Sequence, residues 1–186
     1  SDPQIRDPFI SVFIWTFIYA VLSVFLTFVL GLGLAITLNK PGMRGQRFYR
    51  ALLIVPYAVP SFLMILVWAG LLNDDFGAIN VTFGLDIPWL FDPFWAKVSV
   101  LLVNLWLGFS YMFLVSTGAL QAIPAELQEA AKVDGARNFQ VWRLVNMPVL
   151  LVAVAPLLIA SFAFNFNTFN NIWLLTGGGP SREGSE

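Results

Sequence analysis

Four long stretches of this chain carry no charged side chain: Phe9 to Leu38, Ala51 to Leu72, Val98 to Ala125 and Pro148 to Gly179. A bilayer core roughly 30 Å thick is crossed by about 20 apolar residues in a helix. Each stretch is long enough, so the expected architecture is all-α, a polytopic bundle of four membrane helices. The expected spans are 9–38, 51–72, 98–120 and 149–175. The first is longer than a crossing needs, which implies tilt or a start along the membrane surface. Composition agrees: 58% of residues are hydrophobic and 11% charged, where soluble domains have about a quarter charged.

The loops between the runs set an orientation. Residues 39–50 hold Lys40, Arg44, Arg47 and Arg50 with no acid, which places them in the cytoplasm. Residues 73–97 hold Asp74, Asp75, Asp86 and Asp92 against Lys97 alone, which places them outside. By alternation, residues 1–8 and 180–186 are periplasmic and residues 123–148 are cytoplasmic. Trp89 and Trp95 suit either an outer aromatic belt or packing within the outer loop. Asn80-Val81-Thr82 matches a glycosylation sequon, a tripeptide that often arises by chance. The start at Ser1-Asp2-Pro3 lacks the features of a signal peptide. Both chain ends read as cuts within a longer protein.

Several function classes are excluded or weakened. A net charge of −1 argues against a nucleic-acid partner, which requires a basic face. Without Cys or His the chain has no Cys/His zinc site and no catalysis built on those residues. No phosphate-binding glycine loop is present. Gly31-x-Gly33 lies inside an apolar run and Gly177 to Gly179 ends one, not at the start of a soluble helix after a strand. No Asp, Glu, Lys or Arg lies within the spans. That weakens an ion-coupled transporter, which usually keeps such groups there.

Neutral polar residues do lie in the spans, and their spacing is ordered. Asn104, Leu107, Gly108 and Tyr111 recur at i, i+3, i+4 and i+7, one face of a helix. Ser161, Phe164, Asn165 and Thr168 repeat the spacing in the fourth run. An amide facing lipid leaves its groups unpaired at a cost of a few kcal/mol, so both faces should point into the bundle or a wet cavity. One use of them is interhelical hydrogen bonding, with Gly108 permitting close approach. The other is a ligand site. Amides and hydroxyls bond the OH groups of a neutral polyhydroxylated molecule, and aromatic faces cover its C–H surfaces. The crowding of Asn165, Asn167, Asn170 and Asn171 fits helix glue poorly. Pro56 and Pro60 in the second run and Pro156 in the fourth predict kinks. These either serve as hinges or are the ordinary kinks of membrane helices.

The most charged segment is Glu126-Leu-Gln-Glu-Ala-Ala-Lys-Val-Asp-Gly-Ala-Arg-Asn-Phe-Gln-Val-Trp-Arg-Leu-Val-Asn-Met-Pro148, with six charged side chains. Pro124 suits a helix start, Glu126 and Glu129 favour its N-terminal end, and Gly135 suits its C′ position. About three turns are too short to be stable alone, so the small stripe of Leu127, Ala130 and Ala131 either covers its own spans or docks on a partner. A second helix is expected over 137–146, with Phe139, Trp142 and Val145 on one face. It should break at Met147, because Pro148 disfavours helical geometry in the residue before it.

This segment resembles the motif of permeases of binding-protein-dependent ABC importers: Glu-Ala-Ala, three residues, Gly, nine residues, Ile-x-Leu-Pro. Glu129, Ala130, Ala131, Gly135 and Pro148 match, Asp134 lies within the matched stretch, and Val145 and Met147 stand for Ile and Leu. The stretches "YRALLIVPYAVPSF", "VNLWLGFSYM", "LQAIPAEL", "IASFAFNFN" and "LLTGGGP" extend the resemblance to the maltose-transporting branch of that family. The resemblance implies the core of an ABC importer type I permease, with a partial transmembrane type-1 domain over 9–179, in the bacterial inner membrane.

It further implies that the helix carrying Glu129 to Gly135 docks on a cytoplasmic ATP-binding subunit. It places sugar contacts at Asn104, Leu107, Gly108, Tyr111, Ser161, Phe164 and Asn165. Thr168 occupies a contact position where the maltose branch has Asn, which puts the identity of the sugar in doubt. The implied partners are a second permease subunit, a dimer of ATP-binding subunits, a periplasmic sugar-binding protein, the sugar and membrane lipid. The chain is expected to be no enzyme and to hold no cofactor or metal, with ATP bound on the partner subunit. Two other classes share the uncharged polar lining. One is a passive channel or facilitator for neutral solutes. The other is a secondary transporter with ionisable groups in further spans.

Overall fold

The structure is a computed structural model that describes residues 3–40 and 42–179, with side chains described from residue 9 onward. The expected segments 1–8 and 180–186 therefore fall largely or wholly outside the described residues. Among the described residues there are nine α-helices and one π-helical turn. The long spans are α1 (Pro3–Leu38), α5 (Pro93–Gln121) and α8 (Met147–Phe166). The shorter elements are α2 (Gln46–Ala58), α3 (Ser61–Leu71), α4 (Ala78–Phe83), α6 (Ala125–Val133), α7 (Asn138–Val141) and α9 (Asn170–Thr176), with the π turn at Trp142–Asn146.

The bundle is organised by α1 lying along α5, with α8 crossing α1. Two glycines set the α1–α5 spacing. A Cβ on Gly31 would lie 2.6 Å from the Phe113 backbone nitrogen, and one on Gly108 would lie 2.8 Å from Thr27 Cγ2. Small residues let membrane helices approach this closely, where dispersion replaces the hydrophobic drive. Phe17 and Phe162 meet edge-on at 5.7 Å between α1 and α8, and Phe13 and Phe166 at 6.0 Å. One core cluster gathers Tyr19, Ile65, Leu72, Val100, Val103 and Leu175 toward the acidic loop. A second gathers Phe28, Leu32, Met112, Ile123, Leu150 and Val154 toward the basic loop.

The second apolar run bends far more sharply than an ordinary proline kink. It splits into α2 and α3, bent by 91° at Val59-Pro60. Pro60 starts α3 and lacks the N–H that would continue α2, and its ring disfavours helical geometry at Val59. Val59 is accordingly extended (φ −88°, ψ 135°). Pro56 and Pro156, by contrast, sit inside helices that continue through them. The fourth run also breaks earlier than expected. Helix α8 ends at Phe166, and α9 starts at Asn170.

The expected break at Met147 is absent. The chain passes from α7 through the π turn into α8, and Met147 is helical (φ −65°, ψ −46°). Its N–H donates to the Trp142 carbonyl five residues back. The wider π turn moves the carbonyl that a proline ring would strike in a regular α-helix, so Pro148 is tolerated in the first turn of α8.

Both loops are tied down by side chains. Arg50 Nη2 donates to Asn39 Oδ1 at 2.6 Å and to the Leu38 carbonyl at 3.3 Å, Gln46 also donates to that carbonyl, and Gln121 Nε2 reaches Asn39 at 3.1 Å. A basic loop residue thus satisfies the open carbonyl end of α1, where a cation is favoured. In the acidic loop, Asn80 donates to the Asp74 and Ile87 carbonyls at 3.2 and 2.9 Å and accepts from Trp89 Nε1 at 2.8 Å. Asn80 is buried, so its amide is built into the loop and is no exposed glycan acceptor. Trp89 and Trp95 meet edge-on at 5.1 Å. Asp92 caps α5, accepting from Phe94 and Trp95 N–H, and Lys97 sits 5.0 Å from the Trp15 ring.

Candidate ligand cavity and docking helix

A cavity of about 770 Å³ opens between α1, the α2–α3 bend, α5, α8 and α9. The two polar faces read from the sequence converge on it. Asn104, Leu107, Gly108 and Tyr111 approach from α5, and Ser161, Phe164 and Asn165 from α8. Asn104 Nδ2 donates to Asn165 Oδ1 at 3.0 Å, which joins the two faces directly. Asn165 Nδ2 in turn donates to the Ser161 carbonyl at 2.8 Å. Both asparagines are buried (6% and 9% exposed), so these bonds offset the desolvation of amides that would otherwise go unpaired.

Thr168 is not among the lining residues. It follows the end of α8, so the i+7 spacing no longer places it on the helix face. Its Oγ1 donates to the Phe164 carbonyl at 3.0 Å. Gly108 both lines the cavity and admits Thr27 of α1.

Several lining residues escaped the sequence reading. Tyr57, Pro60 and Ser61 come from the bend, Thr27 from α1 and Asn171 from α9. The Tyr57 ring stacks on Tyr111 at 6.2 Å with 26° between planes, which forms a pair of aromatic faces beside the amides. The flanking prolines 56 and 60 were a signal that this segment bends, and the run of asparagines was a signal for Asn171. Neither predicts an approach to α5. Ser110 Oγ donates to the Leu53 carbonyl at 2.7 Å and holds α2 against α5 beside the cavity. Among the described residues, no Asp, Glu, Lys or Arg lines the cavity.

The second candidate site lies at the far end of α8. Helix α6 begins after Pro124 and has no buried residue. Its end is a Schellman motif. The Gly135 N–H donates to the Lys132 carbonyl at 3.0 Å, the Ala136 N–H donates to the Ala131 carbonyl at 2.9 Å, and Gly135 takes φ +86°. Asp134 is the C-cap. Glu129, Ala130, Asp134, Gly135 and Pro148 are exposed, and Ala131 is half-buried. The main contacts of α6 are with α7 and the π turn, so it does not lie down over its own spans. A Cβ on Gly135 would meet nothing within 4 Å. The glycine is thus required within this chain for its backbone angle, not for space. Leu127, Val133 and Phe139 are exposed by 46%, 87% and 70%. Among the described residues no group of three or more His, Cys, Asp or Glu is placed to hold a metal.

The family model for the binding-protein-dependent transport system inner membrane component matches residues 27–182. The maltose/maltodextrin transport system permease protein MalF of Vibrio parahaemolyticus is 49% identical over 189 residues, which covers 100% of this chain and 36% of that protein. MalF of Escherichia coli is 46% identical, covering 100% of this chain and 37% of its own length. The galactooligosaccharides transport system permease protein GanP of Bacillus subtilis is 46% identical over 185 residues, 97% of this chain and 44% of GanP. The chain thus spans less than half the length of these relatives. A crystal structure of a bacterial ABC transporter involved in the import of the acidic polysaccharide alginate superposes with a TM-score of 0.79. It is 22% identical and covers 91% of this chain and 62% of that one, a likeness of fold. Three of the helices are long and apolar enough to cross a membrane, or four crossings if the bent α2–α3 pair counts as one. The chain therefore belongs to the binding-protein-dependent transport system inner membrane components, as a multi-pass inner-membrane segment with the type I ABC importer permease fold.

Proposed function

We propose that this chain is the membrane-spanning core of a permease subunit in an ATP-driven, binding-protein-dependent sugar importer, with a neutral maltose-type oligosaccharide as its ligand. The carrying observation is the uncharged cavity, in which the Asn104–Asn165 pair stands beside the stacked Tyr57 and Tyr111 rings. Buried amides fix a ligand's hydroxyl groups by direction, and aromatic faces take its C–H surfaces. A volume of about 770 Å³ falls within the range of small-molecule sites, roughly 300–1,000 Å³. The relatives are named for maltose/maltodextrin and for galactooligosaccharides, both neutral. An acidic polysaccharide such as alginate would meet no cation in this lining, which favours the neutral class.

The exposed α6 supports the coupling role. ATP binding would close a pair of partner ATPase subunits, and a helix docked on one of them would carry the motion through the π turn into α8. A second permease subunit would complete the pathway, and a periplasmic binding protein would deliver the sugar. Ligand occupancy itself would need no chemistry from this chain.

The test is ATP-dependent maltose uptake into proteoliposomes holding the full-length subunit and its partners. Asn165→Ala should lower uptake about tenfold, the worth of one to two neutral hydrogen bonds, with the complex still assembling. Unchanged uptake would return the amides to a packing role.

A further inference from the structure

Asn171 lies on α9, beyond the break after Phe166, and on neither of the two polar helix faces. Resting on the sugar-site reading above, we infer that Asn171 is a positioning residue that fixes which hydrogen-bonding groups Asn104 presents to the ligand. The observation is a row of three carboxamides with one direction. Asn171 Nδ2 donates to Asn104 Oδ1 at 3.2 Å, Asn104 Nδ2 donates to Asn165 Oδ1 at 3.0 Å, and Asn165 Nδ2 donates to the Ser161 carbonyl at 2.8 Å.

The direction follows from the last member. A backbone carbonyl can only accept, so the group of Asn165 facing it must be its NH₂. The Asn165 oxygen then faces Asn104, which must donate in turn. The Asn104 oxygen is left facing α9, where Asn171 supplies the donor. A carboxamide turned by 180° exchanges two donors for an acceptor in nearly the same volume, so an unanchored Asn would offer a ligand either pattern. Asn104 is anchored at both ends, by Asn165 and by Asn171. Among the described residues, no other side chain donates to the Asn104 oxygen. The cavity therefore meets a fixed pattern at Asn104, one remaining N–H and one remaining lone pair, and a ligand hydroxyl has to match it.

Two substitutions disturb this in different ways. Asn171→Asp keeps the shape and places an acceptor against the Asn104 oxygen. Asn104 can satisfy it only by turning, which sets its own oxygen against that of Asn165. Asn171→Leu removes the donor and frees a lone pair of Asn104 toward the cavity. Each variant changes the pattern offered to the ligand, and a residue serving only to hold α9 against α5 would not.

The experiment measures KM and kcat for ATP-dependent uptake by the reconstituted full-length complex. The probes are maltose and a series of analogues in which one hydroxyl at a time is replaced by fluorine, which cannot donate. The binding protein's own preferences are common to wild type and variant and cancel in the ratio. At least one analogue should change relative to maltose by about three- to tenfold in both variants, the worth of one neutral hydrogen bond. Maltose and all analogues falling by one common factor would overturn the inference while leaving the sugar site intact. Failure of both variants to assemble would also overturn it, since Asn171 would then be a packing residue. Absence of wild-type uptake of maltose and every analogue, or full uptake by Asn165→Ala, would overturn the sugar-site reading and this inference with it.

Discussion

The contact of α1 with α5 beside the cavity can be tested at a single methyl group. In Gly108→Ala the new Cβ would lie 2.8 Å from Thr27 Cγ2, while Thr27 Cβ and Oγ1 would stand at 3.6 and 4.0 Å. The first distance is well inside carbon–carbon contact at roughly 3.5–4.0 Å, and the other two are ordinary. One atom therefore accounts for the clash. Overpacking of this kind costs about 1–3 kcal/mol.

Thr27→Ser removes that atom alone. It keeps the hydroxyl, which donates to the Ser23 carbonyl at 2.6 Å within α1. By itself it should cost about 0.5–1.5 kcal/mol for a lost buried methyl. In the double variant the methyl added at position 108 occupies the space the threonine methyl left. The expected coupling is therefore favourable by about 1–2 kcal/mol, well outside the roughly 0.5 kcal/mol within which independent sites add. The assay is denaturant or thermal unfolding of the detergent-solubilised full-length complex, as wild type, two single variants and the double. Additive losses would refute the reasoning. Recovered stability without recovered uptake would show that Gly108 also leaves space for the ligand.

Two further expectations follow from backbone and side-chain geometry. Gly135→Ala strains a residue at φ +86° where the added methyl would meet nothing in this chain, so it should fray α6 by about 1–2 kcal/mol. Gly135→Trp should in addition abolish co-purification of the ATPase subunit, and normal co-purification would defeat the docking role. Asn80→Ala removes three hydrogen bonds from the acidic loop, a loss of about 1–3 kcal/mol locally. Hydrogen exchange over residues 74–92 should rise while that of α5 stays unchanged; equal protection would show that Asn80 does not hold the loop.

Much of this was legible in the chain because one composition pattern and one periodicity survive folding. Charge-free runs mark spans, since a bilayer admits few ionisable groups whatever the tertiary structure. The 3.6-residue period placed seven residues on two faces that line the cavity, because α5 and α8 are regular through those positions. Where regularity ended, the reading failed. Thr168 fell off its face once α8 stopped at Phe166. Pro60 signalled a bend but carried no angle, and the 91° turn is what brings Tyr57 and Ser61 to the cavity. Pro148 signalled a break that the π turn absorbs.

Legible in the chain alone were the membrane class, the charge-free runs, the basic and acidic loops, the family and the two amide-bearing faces. Each rests on composition or on spacing within one segment, which a single helix reads out locally. The packing of the helices settles that the faces meet, that Asn104 bonds Asn165 and Asn171, and that α6 lies open. Those depend on how closely separate helices approach. Gly31 and Gly108 set that distance against backbone and methyl groups 2.6 and 2.8 Å from where a Cβ would stand, partners that no local pattern names.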